Sequence, residues 1–234
     1  MSTLLLLRHG LTKLTGPVLA GRAPGLHLDE RGQAQAAAAA ARIAVLPLAA
    51  IVTSPLERCT DTAAAVREAQ QSAGRAPMWE IDDRLVEAGY GDWTGRAIKD
   101  LAKDPMWKVV QIQPSAARFP SGEAMTEMSA RAVASVRDWD ARLGPDAIWV
   151  ACSHGDVIKA ILADALGLHL DQFQRIVVDP CSVSVVRYTD TRPYVLRAND
   201  VSGELSAFVP PAKKGRRRKS ADATVGGGAG GGQV

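Results

Sequence analysis

The sequence has few cysteines, and it lacks metal-binding spacings and long apolar segments. Its three cysteines are an odd number without paired spacing, so reduced thiols in a cytoplasmic protein are expected. No Cys-x-x-Cys, His-Glu-x-x-His or His-x-His spacing occurs, and a dedicated zinc site is therefore not predicted. The longest apolar runs, at 4–7 and 34–41, are too short to span a bilayer, and no basic segment precedes the first of them. Neither a membrane partner nor a secretory signal is expected.

Positive charge is concentrated at the C-terminus. Residues 210–234 contain six of the 28 basic residues and one of the 25 acidic residues, which leaves 22 basic and 24 acidic residues in positions 1–209. Because that larger part is slightly acidic, no specific nucleic-acid partner is predicted. The stretch 210–234 has a basic cluster and a glycine run but no apolar period, and we expect a disordered tail that is solubilising or loosely anion-binding. A specific nucleic-acid or membrane role for this tail is the alternative.

Short apolar segments alternate with helix-forming segments along positions 1–209. Strands are predicted at Thr3–Leu7, Ala50–Thr53, Trp79–Leu85 and Ala147–Cys152, and a hairpin at Ser182–Tyr188 and Tyr194–Asn199. Helices are predicted at 30–44, 56–71, 94–103, 121–143 and 156–166, and 105–120 is predicted to be largely loop with some helix. This order predicts one α/β domain over 1–209 with a mostly parallel sheet. Ligands of such sheets bind beyond the carboxyl ends of the strands.

Four short polar motifs follow predicted strands. They are Arg8-His9-Gly10, Ser54-Pro55-Leu56-Glu57-Arg58, Glu87 with Gly91-Asp92-Trp93-Thr94-Gly95, and Ser153-His154-Gly155. In the second motif Ser54 is predicted to cap the following helix, with Pro55 as its first residue. We expect Gly10 and Gly155 to allow close approach of the backbone to a ligand. Because parallel strands end at one edge of a sheet, the motifs are predicted to meet there.

The residue types of these motifs suit a phosphate dianion. Arg8 and Arg58 can form bidentate hydrogen bonds with phosphate oxygens, and two helix N-termini can direct free amide groups at the same anion. A neutral imidazole is nucleophilic, and neighbouring cations favour the neutral form by lowering its pKa. We therefore predict that His9 attacks phosphorus and that Glu87 protonates the departing alcohol.

The four motifs, in this order, resemble those of the histidine phosphatase superfamily, which includes the cofactor-dependent phosphoglycerate mutases. The resemblance extends from residue 4 to about residue 200. It is closest to actinobacterial phosphomutase-like proteins of the broad-specificity phosphatase branch. It implies a phosphoglycerate mutase-like fold, a three-layer α/β/α sandwich around a mixed, mostly parallel sheet with one antiparallel edge strand. It implies no metal or other cofactor, since two arginines and a histidine neutralise the transferring group.

The resemblance also implies a role for each motif residue. The implied site residues are the phosphohistidine His9, the proton donor Glu87, and Arg8, Arg58 and His154 around the phosphoryl oxygens. The sequence departs from the family pattern at Leu11, where members often have Glu or Gln. It also departs at Thr15, where an Asn often helps to bind phosphate, and we expect Thr15 to serve as a shorter phosphate-binding donor.

Several residues near the motifs have alternative interpretations. The proton donor alternatives to Glu87 are Asp82, Asp83 and Asp92. Asp156 is expected to cap the helix that begins beside it, with substrate contact as the alternative. Trp93 is expected in the core, whereas Trp107 is assigned equally to the core and to the substrate pocket. The cysteines beside the motifs are expected to be buried residues rather than nucleophiles.

Three functions remain open at the level of the sequence. The segment 96–120 has no adjacent arginines, which the phosphoglycerate mutases carry after the acid motif, and it contains an apolar run from Trp107 to Ile112. We therefore predict a phosphomonoester hydrolase that acts on a small phosphorylated substrate and that is either permissive or selective for a partly apolar substrate. A phosphomutase is the second hypothesis, and a catalytically silent binding protein is the third. The sequence is compatible with a homo-oligomer but does not specify one.

Overall fold

A six-stranded sheet organises the chain in the computed structural model, which describes residues 1–209. The tail predicted at 210–234 lies outside the described residues. The strands are β1 (Ser2–Arg8), β2 (Ala50–Thr53), β3 (Met78–Ile81), β4 (Ile148–Ser153), β5 (Val183–Tyr188) and β6 (Pro193–Asp200). The helices are α1 (Glu30–Ile43), α2 (Glu57–Ser72), α3 (Ile98–Leu101), α4 (Pro105–Ile112), α5 (Met125–Leu143) and α6 (Gly155–Ala165). Single 3₁₀ turns or short 3₁₀ helices lie at Asp83–Leu85, Gly91–Trp93, Pro114–Ala116, Leu170–Arg175 and Ser206–Phe208.

The sheet is mixed, with strand order β3-β2-β4-β1-β5-β6. The first four strands in this order pair in parallel, and β5 pairs antiparallel with both β1 and β6. The family resemblance implied that the antiparallel strand lies at the edge of the sheet. In the structure the antiparallel strand is β5, which lies one position inside the edge strand β6. A four-residue connection joins β5 to β6, and such a short link can only bring an antiparallel neighbour alongside. β6 consequently extends the sheet outside β5.

Both faces of the sheet are covered by helices, which confirms the three-layer sandwich. Along β1, Leu4 and Leu6 belong to the apolar cluster on the face of α5 and α6, while Leu5 and Leu7 belong to the cluster on the face of α1 and α2. This alternation follows from the two-residue period of a strand. All four leucines are fully buried, and burial of each contributes about 1.5–3 kcal/mol relative to an exposed side chain.

The helix boundaries differ from the prediction at three places. The predicted helix 94–103 is reduced to the short α3, and the predicted helix from 121 begins only at Met125, after a turn in which Ser121 has φ 54°. The region 105–120, predicted to be mostly loop, contains α4, which Asp104 caps by accepting from the Met106 amide at 2.9 Å. None of the helices within 1–209 is long and apolar enough to cross a bilayer.

The prediction that Ser54 caps α2 is wrong. The helix begins at Glu57 with Leu56 as its N-cap residue and no side-chain cap. Ser54 Oγ is 2.8 Å from Nε2 of the buried His154, so its hydroxyl serves that contact. A serine can therefore match a helix-capping pattern in the sequence while its hydroxyl forms a hydrogen bond with a different residue.

Candidate active site

Three neighbouring parallel strands deliver the candidate site. His9 follows β1, Arg58 lies in the first turn of α2 beyond β2, and His154 follows β4. The three strands end side by side because β4 is in register with both β1 and β2. Their ends open into a pocket of about 590 Å³. The residues of the predicted site that line it are Arg8, His9, Thr15, Arg58 and Glu87.

The buried imidazole of His9 has its two nitrogens in different environments. Nδ1 lies 2.8 Å from the Gly10 carbonyl oxygen, and Arg58 Nε donates to Nε2 at 3.2 Å. Because a carbonyl only accepts and a guanidinium only donates, the proton is on Nδ1 and the lone pair on Nε2. Burial, and then the charges of Arg58 and Arg8, lower the pKa of His9 to about 3. His9 is thus a neutral imidazole whose nucleophilic nitrogen is beside a cation.

His154 lies behind Arg58 and is not among the residues that line the pocket. Its ring centroid is 5.2 Å from that of His9, and Arg58 Nη2 donates to its Nδ1 at 3.1 Å. Nε2 therefore carries the proton and donates to Ser54 Oγ. Burial, followed by the charge of Arg58, lowers the pKa of His154 well below its usual value. In this geometry His154 orients Arg58, and its contact with phosphoryl oxygens stays a prediction.

Two guanidinium groups at the pocket have unused donors. Arg8 Nη1 donates to the Val178 carbonyl at 2.6 Å and Arg58 Nη2 to the Gly21 carbonyl at 2.7 Å, which fixes both groups. Arg8 Nε and Arg58 Nη1 are buried without a hydrogen-bond partner among the described residues. A buried donor without an acceptor costs about 1–3 kcal/mol, and an oxyanion in the pocket would remove that cost. Both arginines are therefore arranged for an anion.

Glu87 is the one carboxyl of the four predicted donor candidates that lines the pocket. Its Oε1 accepts from the Ala88 amide at 2.9 Å. Burial, and then the negative charge of Asp156, raise the pKa of Glu87 to about 7. Although burial opposes ionisation of Asp82, hydrogen bonds from its neighbours, beginning with Arg84, lower its pKa to about 2. Glu87 has the pKa of a proton donor near neutral pH, and Asp82 does not.

The loop that carries Glu87 is held by residues that the motifs did not indicate. The Glu87 carbonyl accepts from Arg22 Nε at 2.7 Å and from Arg131 Nη2 at 3.1 Å. Both arginines pair with Glu123, at 2.8 and 2.7 Å, and Glu123 also accepts from the Gly89 amide. The signal in the sequence was slight: Arg131 lies three residues after the buried Met128 and so on the inward face of α5. These charges fix the position of the loop.

The remaining wall of the pocket is largely apolar. It is formed by Val18, Leu19, Trp107, Val110, Ile176 and Val178. Trp93 is fully buried in the core, as expected, and Trp107 stacks on it with a centroid distance of 6.1 Å. Both tryptophans are among the residues that line the pocket. Trp107 thus belongs both to the edge of the core and to the pocket wall. This wall comes from loops and from α4 rather than from strand ends.

Asp156 faces the pocket instead of capping its helix, so that expectation is wrong. The N-cap residue of α6 is His154, without a side-chain cap. Asp156 Oδ2 accepts from the Tyr90 hydroxyl at 2.8 Å, and Oδ1 is 3.7 Å from Lys159 Nζ. The alternative interpretation, contact with a substrate, is compatible with this position on the pocket wall.

Thr15 lies at the pocket, but its hydroxyl already has partners. Its Oγ1 accepts from the Thr12 amide at 3.0 Å and is 2.9 Å from the Thr12 hydroxyl. The hydroxyl can still reach a ligand with its remaining capacity, since a threonine oxygen both donates and accepts. Its predicted role in binding phosphate stays a prediction.

Glycine at position 10 is required by packing. A Cβ there would lie 2.6 Å from the Gly32 carbonyl oxygen, in the first turn of α1. At Gly155 a Cβ would meet only the Arg8 guanidinium, at 3.7 Å. The close approach of Gly10 to α1 therefore replaces the ligand-based explanation, and it anchors the residue after His9 against a helix.

The turn before β5 also holds the strand end that carries His9. The Cys181 amide donates to the Arg8 carbonyl at 3.1 Å, and Arg8 N donates to the Ser182 carbonyl at 3.2 Å. Cys181 has φ 56°, a left-handed conformation that costs a residue other than glycine roughly 1–2 kcal/mol. Such strain at a functional site indicates a backbone fixed by its surroundings. Within 1–209, no group of three or more His, Cys, Asp or Glu residues is arranged to hold a metal ion.

This chain is similar to known proteins over most of its length. The family model of the histidine phosphatase superfamily (branch 1) matches residues 4–201. Phosphoserine phosphatase 1 of Hydrogenobacter thermophilus is 28% identical, covering 92% of this chain and 99% of that protein. Glucosyl-3-phosphoglycerate phosphatase of Mycobacterium tuberculosis is 32% identical over 70% of this chain and 75% of that protein.

A solved structure and a set of longer relatives complete the comparison. The structure of Bacillus stearothermophilus YhfR matches with a TM-score of 0.78 and 28% identity, covering 86% of this chain and 98% of that one. The chain spans about half the length of other curated relatives, which are mycobacterial proteins 34% identical to it over 79% of this chain and 50% of theirs. The match with YhfR confirms the predicted fold.

Proposed function

The chain belongs to the histidine phosphatase superfamily, and from that premise we propose that it hydrolyses phosphomonoesters by way of a phosphohistidine at His9. One observation supports this most strongly. A neutral imidazole with its lone pair on Nε2 lies beside the half-buried Arg8 and the buried Arg58, each with a buried donor that has no acceptor among the described residues. A phosphate dianion is the ligand whose charge and acceptors match that set. Relatives that are named phosphatases are consistent with the proposal.

The first step forms the phosphohistidine. The lone pair of His9 Nε2 attacks phosphorus as the bond from phosphorus to the alcohol oxygen breaks, and Glu87 gives its proton to that oxygen. Arg8 and Arg58 bind the non-bridging oxygens, whose charge is spread in the transition state. The Nδ1–H group of His9 continues to donate to the Gly10 carbonyl oxygen and holds the ring while Nε2 is phosphorylated. We propose Thr15 as a further donor to the bound phosphate.

The second step returns the enzyme to its starting state. Glu87, now a carboxylate, takes a proton from water as the water oxygen attacks phosphorus and the bond to Nε2 breaks. Inorganic phosphate leaves, and Glu87 is protonated again. The pKa of Glu87, about 7, suits a group that must both give and take a proton near neutral pH. His154 contributes by orienting Arg58, and a direct contact with phosphoryl oxygens would require that pair to rearrange.

The proposed substrate is a small phosphorylated metabolite in the cytoplasm. Hydrolysis is favoured over a phosphomutase reaction because a mutase must hold an intermediate against water through additional charged contacts. Beyond Arg8 and Arg58, the described lining of the pocket includes one cation, Lys159, and it is already paired with Asp156. The wall is therefore suited to releasing the alcohol.

Hydrolysis of p-nitrophenyl phosphate in EDTA tests the proposal. We expect turnover by the wild-type protein, because the two arginines supply the positive charge, and loss of it to background in His9→Ala. His27→Ala is the matched control, since His27 is exposed and pairs with Asp61 away from the pocket. The wild-type protein quenched during turnover should carry phosphate on the peptide that contains His9. Activity that disappears in EDTA, or that survives in His9→Ala, would refute the mechanism.

A further inference from the structure

The pocket has a second half whose composition differs from that of the phosphate half. The phosphate half consists of Arg8, His9 and Arg58 at the strand ends. The other half, which we call the leaving-group wall, consists of Val18, Leu19, Trp107, Val110, Ile176 and Val178 with the polar residues Asp156, Lys159 and Gln174. Because phosphate is fixed at the arginines, the alcohol of the substrate must lie against the leaving-group wall. The properties of that wall therefore select the alcohol.

The charges of the leaving-group wall cancel. Two of the three cations in the described pocket lining, Arg8 and Arg58, match the two charges of a phosphate dianion. Lys159 is the third, and its Nζ lies 3.7 Å from Asp156 and donates to Gln174 at 3.0 Å. A carboxylate on the alcohol would therefore have Lys159 as its one nearby cation on this wall. The charge of Lys159 is already neutralised by Asp156, whose carboxylate lies beside it.

Asp156 is held in place on this wall. The Tyr90 hydroxyl donates to its Oδ2, and Tyr90 itself is buried and packs edge-on against Phe119. Asp156 and Lys159 are three residues apart on α6, on the same face of the helix. Because a rigid helix and a buried tyrosine fix the carboxylate, it cannot turn away from an approaching anion. An uncompensated carboxylate in this position would lower the affinity for another carboxylate by up to roughly a thousandfold. Screening by solvent and the partial compensation by Lys159 reduce the expected effect to about tenfold.

We propose that the leaving-group wall selects phosphomonoesters whose alcohol has an apolar face and no carboxylate, and that Asp156 is the residue that disfavours a carboxylate. This inference rests on the proposed hydrolase function and names its substrate class. It separates the chain from relatives such as phosphoserine phosphatase, since phosphoserine bears a carboxylate. The apolar residues of the wall supply the attraction, and Asp156 supplies the discrimination.

An isosteric pair of substrates tests the inference. The 4-carboxamidophenyl and 4-carboxyphenyl phosphates have nearly the same shape but differ by one negative charge. We expect the wild-type kcat/KM to be about tenfold higher for the amide than for the carboxylate, from like-charge repulsion at Asp156. Comparing the two substrates as a ratio removes changes in the phosphate half that affect both equally.

Three variants assign the ratio to the wall. Asp156→Asn should bring the ratio close to one, and Lys159→Met should raise it because the repelling carboxylate loses its counter-charge. Asp164→Asn is the matched control, since Asp164 is also on α6 but pairs with Arg137 at 2.8 Å outside the pocket. Its ratio should equal that of the wild type, and equal melting temperatures would show that the variants fold alike.

The failure of this inference can be distinguished from failure of the hydrolase proposal. Direct binding of both compounds to His9→Ala, measured by calorimetry, gives the same ratio as dissociation constants without turnover. A ratio near one in wild-type turnover or in this binding measurement would overturn the inference, as would a ratio unchanged in Asp156→Asn. Absence of turnover with a retained binding ratio would refute the hydrolase and leave the selectivity intact.

Discussion

The two halves of the pocket are built in different ways. The phosphate half is made by residues at or just beyond the ends of β1 and β2, supported by His154 after β4. His9, Arg58 and His154 are buried, and Arg58 is hydrogen-bonded to both histidines. The leaving-group wall is made by residues 18–19, by α4, by the first two turns of α6 and by the segment 174–178, and it is mostly apolar. The proposed chemical step therefore depends on residues at the strand ends of the sheet. The proposed choice of substrate alcohol depends on the segments that cover those strand ends.

This separation gives different expectations for changes in each half. A variant in the phosphate half should affect every substrate by the same factor, because all substrates share the phosphoryl group. A variant in the leaving-group wall should affect substrates according to their alcohol. Glu87 belongs to neither half, since its proposed role is to protonate the oxygen that joins phosphate to alcohol.

The largest effect is expected for Glu87→Gln with a poor leaving group. An alkyl alcohol must be protonated as it leaves, so kcat/KM for an alkyl phosphate should fall by about 10²- to 10⁴-fold, whereas p-nitrophenyl phosphate should lose far less. In the wild type, the alkyl-to-aryl ratio of kcat/KM should fall as pH rises through about 7, because the donor must be protonated and its pKa is raised to that value. The ratio should be independent of pH in Glu87→Gln. Equal losses for both substrates would remove Glu87 as the donor.

Arg58→Met should have the next largest effect and should not distinguish substrates. Loss of the guanidinium removes donors to the phosphoryl oxygens and to His9 Nε2, and kcat/KM should fall by about 10²- to 10³-fold for alkyl and aryl phosphates alike. Arg58→Lys should restore part of this loss, since an ammonium keeps the charge but not the planar set of donors. Losses that differ strongly between the two substrates would contradict the separation of the halves.

Trp107→Ala should have the smallest effect and should depend on the alcohol. Loss of the aromatic surface should raise KM for aryl phosphates by about five- to tenfold and leave kcat nearly unchanged. Small alkyl phosphates, which can bury far less surface against Trp107 than an aryl group, provide the internal control. A fall in kcat for both substrates would show that Trp107 supports the phosphate half instead.

Much of the phosphate half could be predicted from the sequence. A strand buried on both faces is a continuous apolar run, and the residue after it must lie at the edge of the sheet. His9, Arg58 and His154 could therefore be placed together without coordinates. The alternation of apolar runs and helix-forming segments predicted the α/β domain with a mostly parallel sheet, and the family resemblance implied its three-layer sandwich. Both are confirmed.

The leaving-group wall could not be predicted, for physical reasons. The start of α4 has a local signature, Asp104 as cap followed by Pro105, but the packing of Trp107 against the core, which sets the position of the helix, has none. The contact between Arg131 and the Glu87 carbonyl joins residues 44 positions apart, and any arginine of the sequence could have supplied it. Asp156 matched a helix-capping position, but Tyr90 bound it instead, 66 residues away in sequence. Contacts of this kind are set by tertiary packing.

The three cysteines have a consequence for handling the protein. Cys59 Sγ lies 3.4 Å from His154 Nε2, the Cys152 thiol reaches the Cys59 carbonyl oxygen, and Cys181 is in the turn that binds the backbone of Arg8. All three are buried, and burial raises the pKa of Cys152 well above its usual value and that of Cys181 to about 12. An alkylating reagent can therefore reach them only when the strand ends separate. The rate of covalent labelling of these sulfurs therefore measures how often the strand ends at the pocket separate, and it requires no engineered probe.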